Sequence, residues 1–390
     1  MIGFLKNIFY HWPLAWLGAV IYRFPSREIF TIGITGTNGK TTTAELIAYI
    51  LEKAGQKVAV SSSLRHGAAA MTMPGRFFLQ RFLRKAVNDG CQTAVIEVTS
   101  QGIAQHRHRF INWGAAVFTN LSLEHIEAHG SFERYREAKI KFIGYAAGQR
   151  AKIFINKEDR NSRYFIGAVA NPTLYGKSDL PSQLLGDFNK YNVAAAVAVA
   201  RELGINEEII KKAVAAFPGV PGRMEFVHSP TGEKPFAVVI DYAVTPDALE
   251  NIYKTLKSYQ LQPKKLICVF GACGGGRDRW KRPELGKIAA RYGDEIILTN
   301  EDPYDEPAEK IIDQIAGGIY SDHSDAFGYS GRVYKIPDRR KAIEKAISLA
   351  QSGDVVIITG KGSERFIHLA NGEKIPWSDK ETALAIINKV

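Results

Sequence analysis

Between an apolar run at residues 30–35 and a stretch of helical periodicity at 41–54 stand Gly36-Thr-Asn-Gly39-Lys40-Thr41-Thr42. A buried strand running through two glycines and a lysine into a helix leaves few folds open. Glycine lets successive N–H groups turn toward one point at the positive end of a helix, which is where a phosphate binds. Lys40 can reach the terminal phosphates of a nucleotide, and Thr41 can place its hydroxyl on Mg²⁺. The commoner spacing would put a glycine at position 34, where Ile34 stands. The strand–loop–helix setting therefore carries the assignment.

The same alternation continues along the chain. Strands are expected at 57–61, 93–98, 114–119 and 152–155, with helices at 192–203 and 207–217, as in a parallel sheet covered on both faces. Two Pro-Gly steps in Phe217-Pro-Gly-Val-Pro-Gly222 suit a linker. A second α/β series follows, with strands at 236–241, 265–270, 295–299 and 354–359 and helices at 246–257, 282–291 and 340–350. The expected organisation is a short apolar and aromatic segment at 1–28, a P-loop ATPase-like central domain with a parallel-rich sheet at 29–221, and a Rossmann-like carboxyl-terminal domain at 222–390. The 390 residues, 45% of them hydrophobic and 23% charged, exclude a disordered or fibrous chain. Three cysteines (Cys91, Cys268, Cys273) speak against a secreted disulfide framework and for the cytoplasm. A formal charge of +11 implies anionic partners. The basic residues are spread along the chain without a nucleic-acid signature, so no nucleic acid is expected.

Within 1–27, the run from Phe9 to Phe24 is rich in Trp and Tyr, but it carries His11 and Pro13 and is too short to span a bilayer. Two readings stay open: a short helix packed on the next domain, or an interfacial helix giving peripheral membrane contact. Farther on, Glu97 ends a strand and offers a carboxylate at the sheet's carboxyl edge, where ligands collect in open α/β sheets. The run from Phe118 to Gly130, with His125, Glu127 and His129, follows another strand and is expected at the same edge. One or two carboxylates suffice for Mg²⁺, which keeps several waters.

The motifs Thr35-Gly-Thr-Asn-Gly-Lys-Thr-Thr42, Glu97-Val-Thr-Ser-Gln-Gly102, Gly186-Asp-Phe-Asn-Lys-Tyr-Asn192 and Gly222-Arg-Met-Glu225 come in this order. They are followed by Asp241-Tyr-Ala-Val-Thr-Pro-Asp-Ala-Leu249, by Val269 to Pro283 and by Gly360-Lys-Gly-Ser-Glu364. Together they resemble the Mur ligases, and most nearly the MurE type, which adds the third residue of the peptidoglycan stem peptide. The resemblance implies an ATP-dependent amide ligase: a muramoyl-peptide carboxylate attacks the γ-phosphate, and a free amino acid's amine then displaces phosphate from the acyl phosphate. It implies that Gly36, Thr37, Asn38, Gly39, Lys40, Thr41 and Thr42 hold the ATP phosphates. Asn189 and Asn192 would lie beside the adenine, Asp241 near the ribose, and Arg223 at a phosphate when the domains meet. Thr41, Glu97 and His125 would serve Mg²⁺, joined by Lys139, which matches the lysine that family members carbamylate. The plain alternative for Lys139 is a solvated helix lysine. Thr99, Ser100, Arg107, Arg282, Asp302, Gly360 and Glu364 would meet the peptide or the amino acid.

Three departures qualify the match. Fewer than thirty residues precede the first strand, where the MurE type has a domain that holds the UDP-sugar, so the acceptor could be UDP-linked or lipid-linked. The diaminopimelate motif Asp-Asn-Pro-Arg is replaced by Glu301-Asp-Pro-Tyr304. Without the arginine fork a distal carboxylate loses its bidentate partner, so lysine or ornithine is expected over diaminopimelate, unless the acidic residues merely face solvent. Val244, Gln101 and Ser363 replace three family histidines. The alternatives are another ligase of the superfamily (folylpolyglutamate-, cyanophycin- or MurT-like) or a non-catalytic ATP-binding scaffold.

Overall fold

A computed structural model describes residues 10–65, 72–227, 236–258, 262–321 and 331–389. The first nine residues of the amino-terminal segment therefore lie outside it. Packing divides the chain into two units: Met1–Leu123 with His129–Pro218, and Gly219–Val390 with Glu124–Ala128.

In the first unit, six parallel strands are ordered β2-β3-β1-β4-β5-β6. They are β1 (Phe30–Thr35), β2 (Val58–Ser61), β3 (Thr93–Glu97), β4 (Trp113–Phe118), β5 (Lys152–Asn156) and β6 (Thr173–Tyr175). The central strand β1 pairs with both β3 and β4, with Ile34 opposite Glu97 and Thr35 opposite Phe118. Every residue of β3 and all but the first of β1 are buried, as expected of parallel strands covered on both faces. The helix Lys40–Lys53 begins directly at the phosphate-loop lysine, one residue earlier than the periodicity suggests. Trp113, Phe142 and Phe118 fill the core beneath the sheet, where a Cβ at Gly33 would stand 2.4 Å from Phe142.

The second unit has the order β11-β10-β9-β12-β8-β7. Its strands are β7 (Glu225–Val227), β8 (Ala237–Ile240), β9 (Leu266–Phe270), β10 (Glu295–Leu298), β11 (Arg332–Lys335) and β12 (Val355–Ile358). All run parallel except β7, which pairs antiparallel with β8 at the edge. A small hairpin, β13 (Phe366–His368) with β14 (Lys374–Pro376), follows. The four long-range strands read from hydrophobicity are present. The short strands β6, β7 and β11 and the hairpin lack an apolar run long enough to announce them.

Candidate active site

The first unit's site forms where β1 ends. Gly36 has φ +156° and Gly39 φ +81°. A Cβ at Gly36 would stand 1.9 Å from Thr119 Oγ1, and one at Gly39 2.2 Å from Asn192 Oδ1. These two positions require glycine for both conformation and space. On one side the loop is clasped by the residues after β4. Thr37 N donates to Asn120 O and Asn38 N to Asn120 Oδ1, both at 2.9 Å, while Asn120 Nδ2 and Thr119 Oγ1 donate to Asn38 O at 3.0 and 2.8 Å. On the other side stands the helix Asp187–Glu202. Thr43 Oγ1 donates to Asn192 Oδ1 at 3.3 Å, Asn192 Nδ2 to Asn189 Oδ1 at 2.8 Å, and Asn189 Nδ2 to Leu185 O at 2.7 Å.

Two lysines converge on one carbonyl. Lys40 Nζ donates to Gly36 O at 3.0 Å and to Thr37 O at 2.7 Å, and Lys139 Nζ donates to the same Gly36 O at 2.8 Å. Lys139 is buried and lies 4.7 Å over the Tyr135 ring, whose hydroxyl is 2.9 Å from Thr37 Oγ1. The solvated reading of Lys139 is therefore corrected: packing against the loop, not water, surrounds it. Two ammonium groups sharing one oxygen concentrate positive charge where a polyphosphate would lie.

Thr41 and Glu97 are joined through one residue. Thr41 Oγ1 is 3.0 Å from Ser63 Oγ, and Ser63 N donates to Glu97 Oε1 at 3.1 Å. Thr42 is buried in the helix's first turn. Nearby, Thr99 caps the short helix Ser100–Ala104 by accepting from Gly102 N at 3.1 Å, and Ser100 Oγ meets His129 Nε2 at 3.1 Å. Arg107 is buried, with its guanidinium on the Gln105 side chain and the Met73 carbonyl. Among the described residues, no group of three or more His, Cys, Asp or Glu could hold a metal by itself.

The run from Phe118 to Gly130 is divided between the two units. Glu124–Ala128 belongs to the second unit. There Asp278 captures Ile126 N at 3.3 Å and Glu127 N at 3.0 Å, Glu127 Oε1 accepts from Arg279 N at 2.9 Å, and His125 Nε2 stands 3.8 Å from Glu124. The Asp278 carboxylate satisfies N–H groups that begin a helical turn. That partner is distant in sequence and invisible to periodicity. His129, present in the run but not singled out, is the imidazole the first unit keeps.

The second unit gathers its polar residues at the carboxyl ends of β8, β9, β10 and β12. Asp241 follows β8, is buried, and accepts from Met224 N at 2.7 Å and Ala243 N at 2.6 Å. Burial pushes its carboxyl up to about 6, against the pull of Arg223. Arg223 lies 4.2 Å over the Tyr242 ring, and Tyr242 donates to Glu364 Oε1 at 3.0 Å. Lys361 is wholly buried, donating to Asp302 Oδ1 at 2.8 Å and to Glu364 Oε2. Burial lowers its ammonium, but Glu364 and Asp302 outweigh that and hold it above the ordinary lysine range. Asp302 also accepts from His368 N at 2.9 Å. Gly360 has φ +108°, and a Cβ there would stand 2.8 Å from Glu301 Oε2.

Glu301 is buried and raised by that burial, with Cys273 Sγ donating to it at 2.9 Å. Glu301 and Asp302 therefore do not merely face solvent. Tyr304 has φ +50° and stacks on His368 at 5.4 Å, and the nearby Arg277 charge works against the burial that raises its hydroxyl. Arg282 is enclosed. Its Nη1 donates to Glu306 at 3.0 Å and Gln314 at 2.6 Å, and its Nη2 to the Cys273 carbonyl at 2.9 Å. Sequence reasoning missed Lys361, Tyr242, Arg277 and Asn120. Each acquires a role only through a partner far along the chain.

A phosphate-cradling loop with paired lysines on one parallel sheet, and a charge-paired edge on a second, define a nucleotide-using two-domain α/β protein. Family profiles match in the same order: the Mur ligase middle domain over residues 34–179 and the Mur ligase glutamate ligase domain over 222–362. A curated relative from Thermosynechococcus vestitus, named UDP-N-acetylmuramoyl-L-alanyl-D-glutamate–2,6-diaminopimelate ligase, is 37% identical over 405 residues, covering 94% of this chain and 78% of its own. A solved structure of an enzyme with that name is 30% identical, with a TM-score of 0.58 over 95% of this chain and 82% of that one. The fold is shared more widely: Mycobacterium tuberculosis folylpolyglutamate synthase, complexed with ADP and AMPPCP, gives a TM-score of 0.69 at 18% identity, over 90% and 92% of the two chains. The chain belongs to the Mur ligase family. It is an ATP-dependent, ADP-forming amide ligase of peptidoglycan precursor synthesis.

Proposed function

We propose that this ligase adds a diamino acid, lysine or ornithine in preference to diaminopimelate, to the terminal carboxylate of a muramoyl peptide. The observation that carries this choice is Tyr304, standing where the diaminopimelate motif has arginine, beside the buried carboxylates Glu301 and Asp302. A distal ammonium suits carboxylates, whereas a distal carboxylate wants a guanidinium fork. One observation favours the second reading, diaminopimelate: Arg277 is close enough to Tyr304 for the two charges to interact, so a guanidinium is present near the position the motif's arginine would take. An amino-acid screen by ADP release, with a UDP-linked and a lipid-linked muramoyl dipeptide as acceptors, decides between them. A clear preference for diaminopimelate overturns the lysine assignment.

The chemistry follows from the loop. The N–H groups of residues 39–42, with those of Thr37 and Asn38 held by Asn120, and the ammonium of Lys40 neutralise the ATP phosphates, so that an anionic carboxylate can approach the γ-phosphorus. The resemblance assigns Asn189 and Asn192 to the adenine, Asp241 to the ribose and Arg223 to a phosphate. Thr41 and Glu97 fit Mg²⁺, a hard cation satisfied by few protein oxygens; when bound it screens the β- and γ-phosphates. The family resemblance, not the geometry, assigns His125 to the metal, and assigns Lys139 to it once carbamylation has replaced its ammonium by an oxygen donor. Thr99, Ser100 and Arg107 face the peptide side. Gly360, Asp302 and Glu364 hold the amino acid, while Arg282 acts as a positioning residue that fixes the loop after β9. We place the enzyme in the cytoplasm, as an enzyme that consumes ATP.

A further inference from the structure

The helix Trp12–Ile21 is built inside out for a soluble protein. Its buried side chains are Ala15, Gly18 and Ala19, while Trp12, Trp16, Leu17, Val20 and Ile21 are exposed, Trp16 by 47% and Ile21 by 55%. These positions are spaced i, i+4, i+5, i+8 and i+9, so the large apolar residues form one continuous outward stripe. The helix carries no charged residue. Its small residues let it lie close on the helix Arg76–Asn88: a Cβ at Gly18 would reach Phe77 at 3.5 Å.

This stripe is not a loosely held end. Arg84 donates to Tyr22 O at 3.0 Å and Arg23 O at 3.1 Å while pairing with Glu28 at 2.7 Å, and Arg76 holds the other end through His11. The rim is aromatic and cationic. Exposed Arg27 lies 4.5 Å over Phe24, and Arg81 lies 5.3 Å over exposed Phe78 on the neighbouring helix. Among the described residues no helix is long and apolar enough to cross a membrane.

We propose that this face is a docking surface for an anionic lipid bilayer, with Trp12, Trp16, Leu17, Val20 and Ile21 seated at the headgroup–acyl boundary. Arg23, Arg27 and Arg81 lie among the lipid phosphates. Indole rings favour that boundary, and an exposed apolar stripe with basic flanks binds in its plane. Charge decides the occupant. The chain carries +11, so a second copy would bring like charge to the contact, whereas an anionic leaflet attracts it. The helix thereby brings a soluble ligase to the surface where lipid-linked wall precursors are assembled, and the docking is independent of which amino acid it adds.

The test is co-sedimentation of the full chain with vesicles of phosphatidylglycerol and phosphatidylethanolamine, against vesicles of phosphatidylcholine alone, at low and high salt. The expected result is pelleting with the anionic vesicles that weakens as salt rises. It should fall about tenfold or more in the double variant Trp16→Asp/Ile21→Asp, with circular dichroism and ADP formation in solution unchanged. Quenching of tryptophan fluorescence by brominated lipid should vanish in the same variant. The proposal is overturned by absence of pelleting, by equal pelleting of variant and parent, or by a doubling of mass in analytical ultracentrifugation that the double variant abolishes, which would make a second copy the occupant.

Discussion

The two sheets follow one plan, yet their working edges are made of different material. In the first unit the edge is a backbone cradle, clasped by neutral side chains (Thr37, Asn38, Thr119, Asn120, Asn192), with two lysines laid over a single carbonyl. In the second the edge is a lattice of charged side chains, with Lys361 between Asp302 and Glu364 and Arg339 donating at 2.7 Å to Asp379. A cradle of N–H groups suits a ligand whose charge is fixed, such as a polyphosphate. Paired charges suit a ligand that carries both signs, as an amino acid does. The comparison teaches that the first site is set by chain geometry and the second by mutual neutralisation.

This contrast can be broken at four places. The largest effect is expected in the second unit. Lys361→Met strands Asp302 and Glu364, and loss of one partner of a buried pair costs about 3–5 kcal/mol; urea unfolding measures it, and a cost below about 1 kcal/mol would show that the lattice does not depend on its lysine. In the first unit, Lys40→Ala should leave the melting curve in place and reduce ADP formation by about 10²–10³-fold, the scale of one preorganised electrostatic contact. A scaffold without catalysis would show no ADP formation in the parent either.

The third lies beneath the first sheet. His108 is buried and pushed down to about 3 by desolvation, reinforced by Arg109 and His106. The unfolded chain binds its proton below about pH 6.5 and the folded chain does not, so stability falls as pH drops through that value. Between pH 7 and pH 5 this group should cost about 2 kcal/mol. Urea unfolding at both pH values should show that slope in the parent and lose it in His108→Phe. The smallest effect returns to the second unit. Asp241 is raised to about 6, so it gains its proton as pH falls below that value. If it meets the nucleotide as a carboxylate, ATP affinity should weaken by about tenfold between pH 7 and pH 5, as read by calorimetry, and Asp241→Asn should be weak and flat across the range.

How much was legible in the chain differs between these same two regions. The loop from Gly36 to Thr42 could be read because its constraint is local: a strand, two glycines and a helix terminus place the phosphate site within seven residues. The place of Glu97 at the end of β3 was legible for a related reason, since the end of a parallel strand can be read from its apolar run. The packing around His125 was not, because Asp278, roughly 150 residues away, engages the helical turn that follows it. The same holds for Arg282, whose guanidinium is engaged by Glu306 and Gln314, partners that the linear order does not announce. Glu301 and Asp302 look like surface acids in a linear reading and are buried in fact.

By itself the sequence determined the alternation of strands and helices, the phosphate loop, and membership in a family whose motifs recur in order, because these rest on neighbours along the chain. Tertiary structure decided that Lys139 lies on the loop beside Lys40, which unit claims His125, which charges neutralise one another, and that Trp12–Ile21 turns its large side chains outward. Those outcomes depend on desolvation and pairing between groups brought together only by folding, and a string of residue types carries no record of which of its charges will meet.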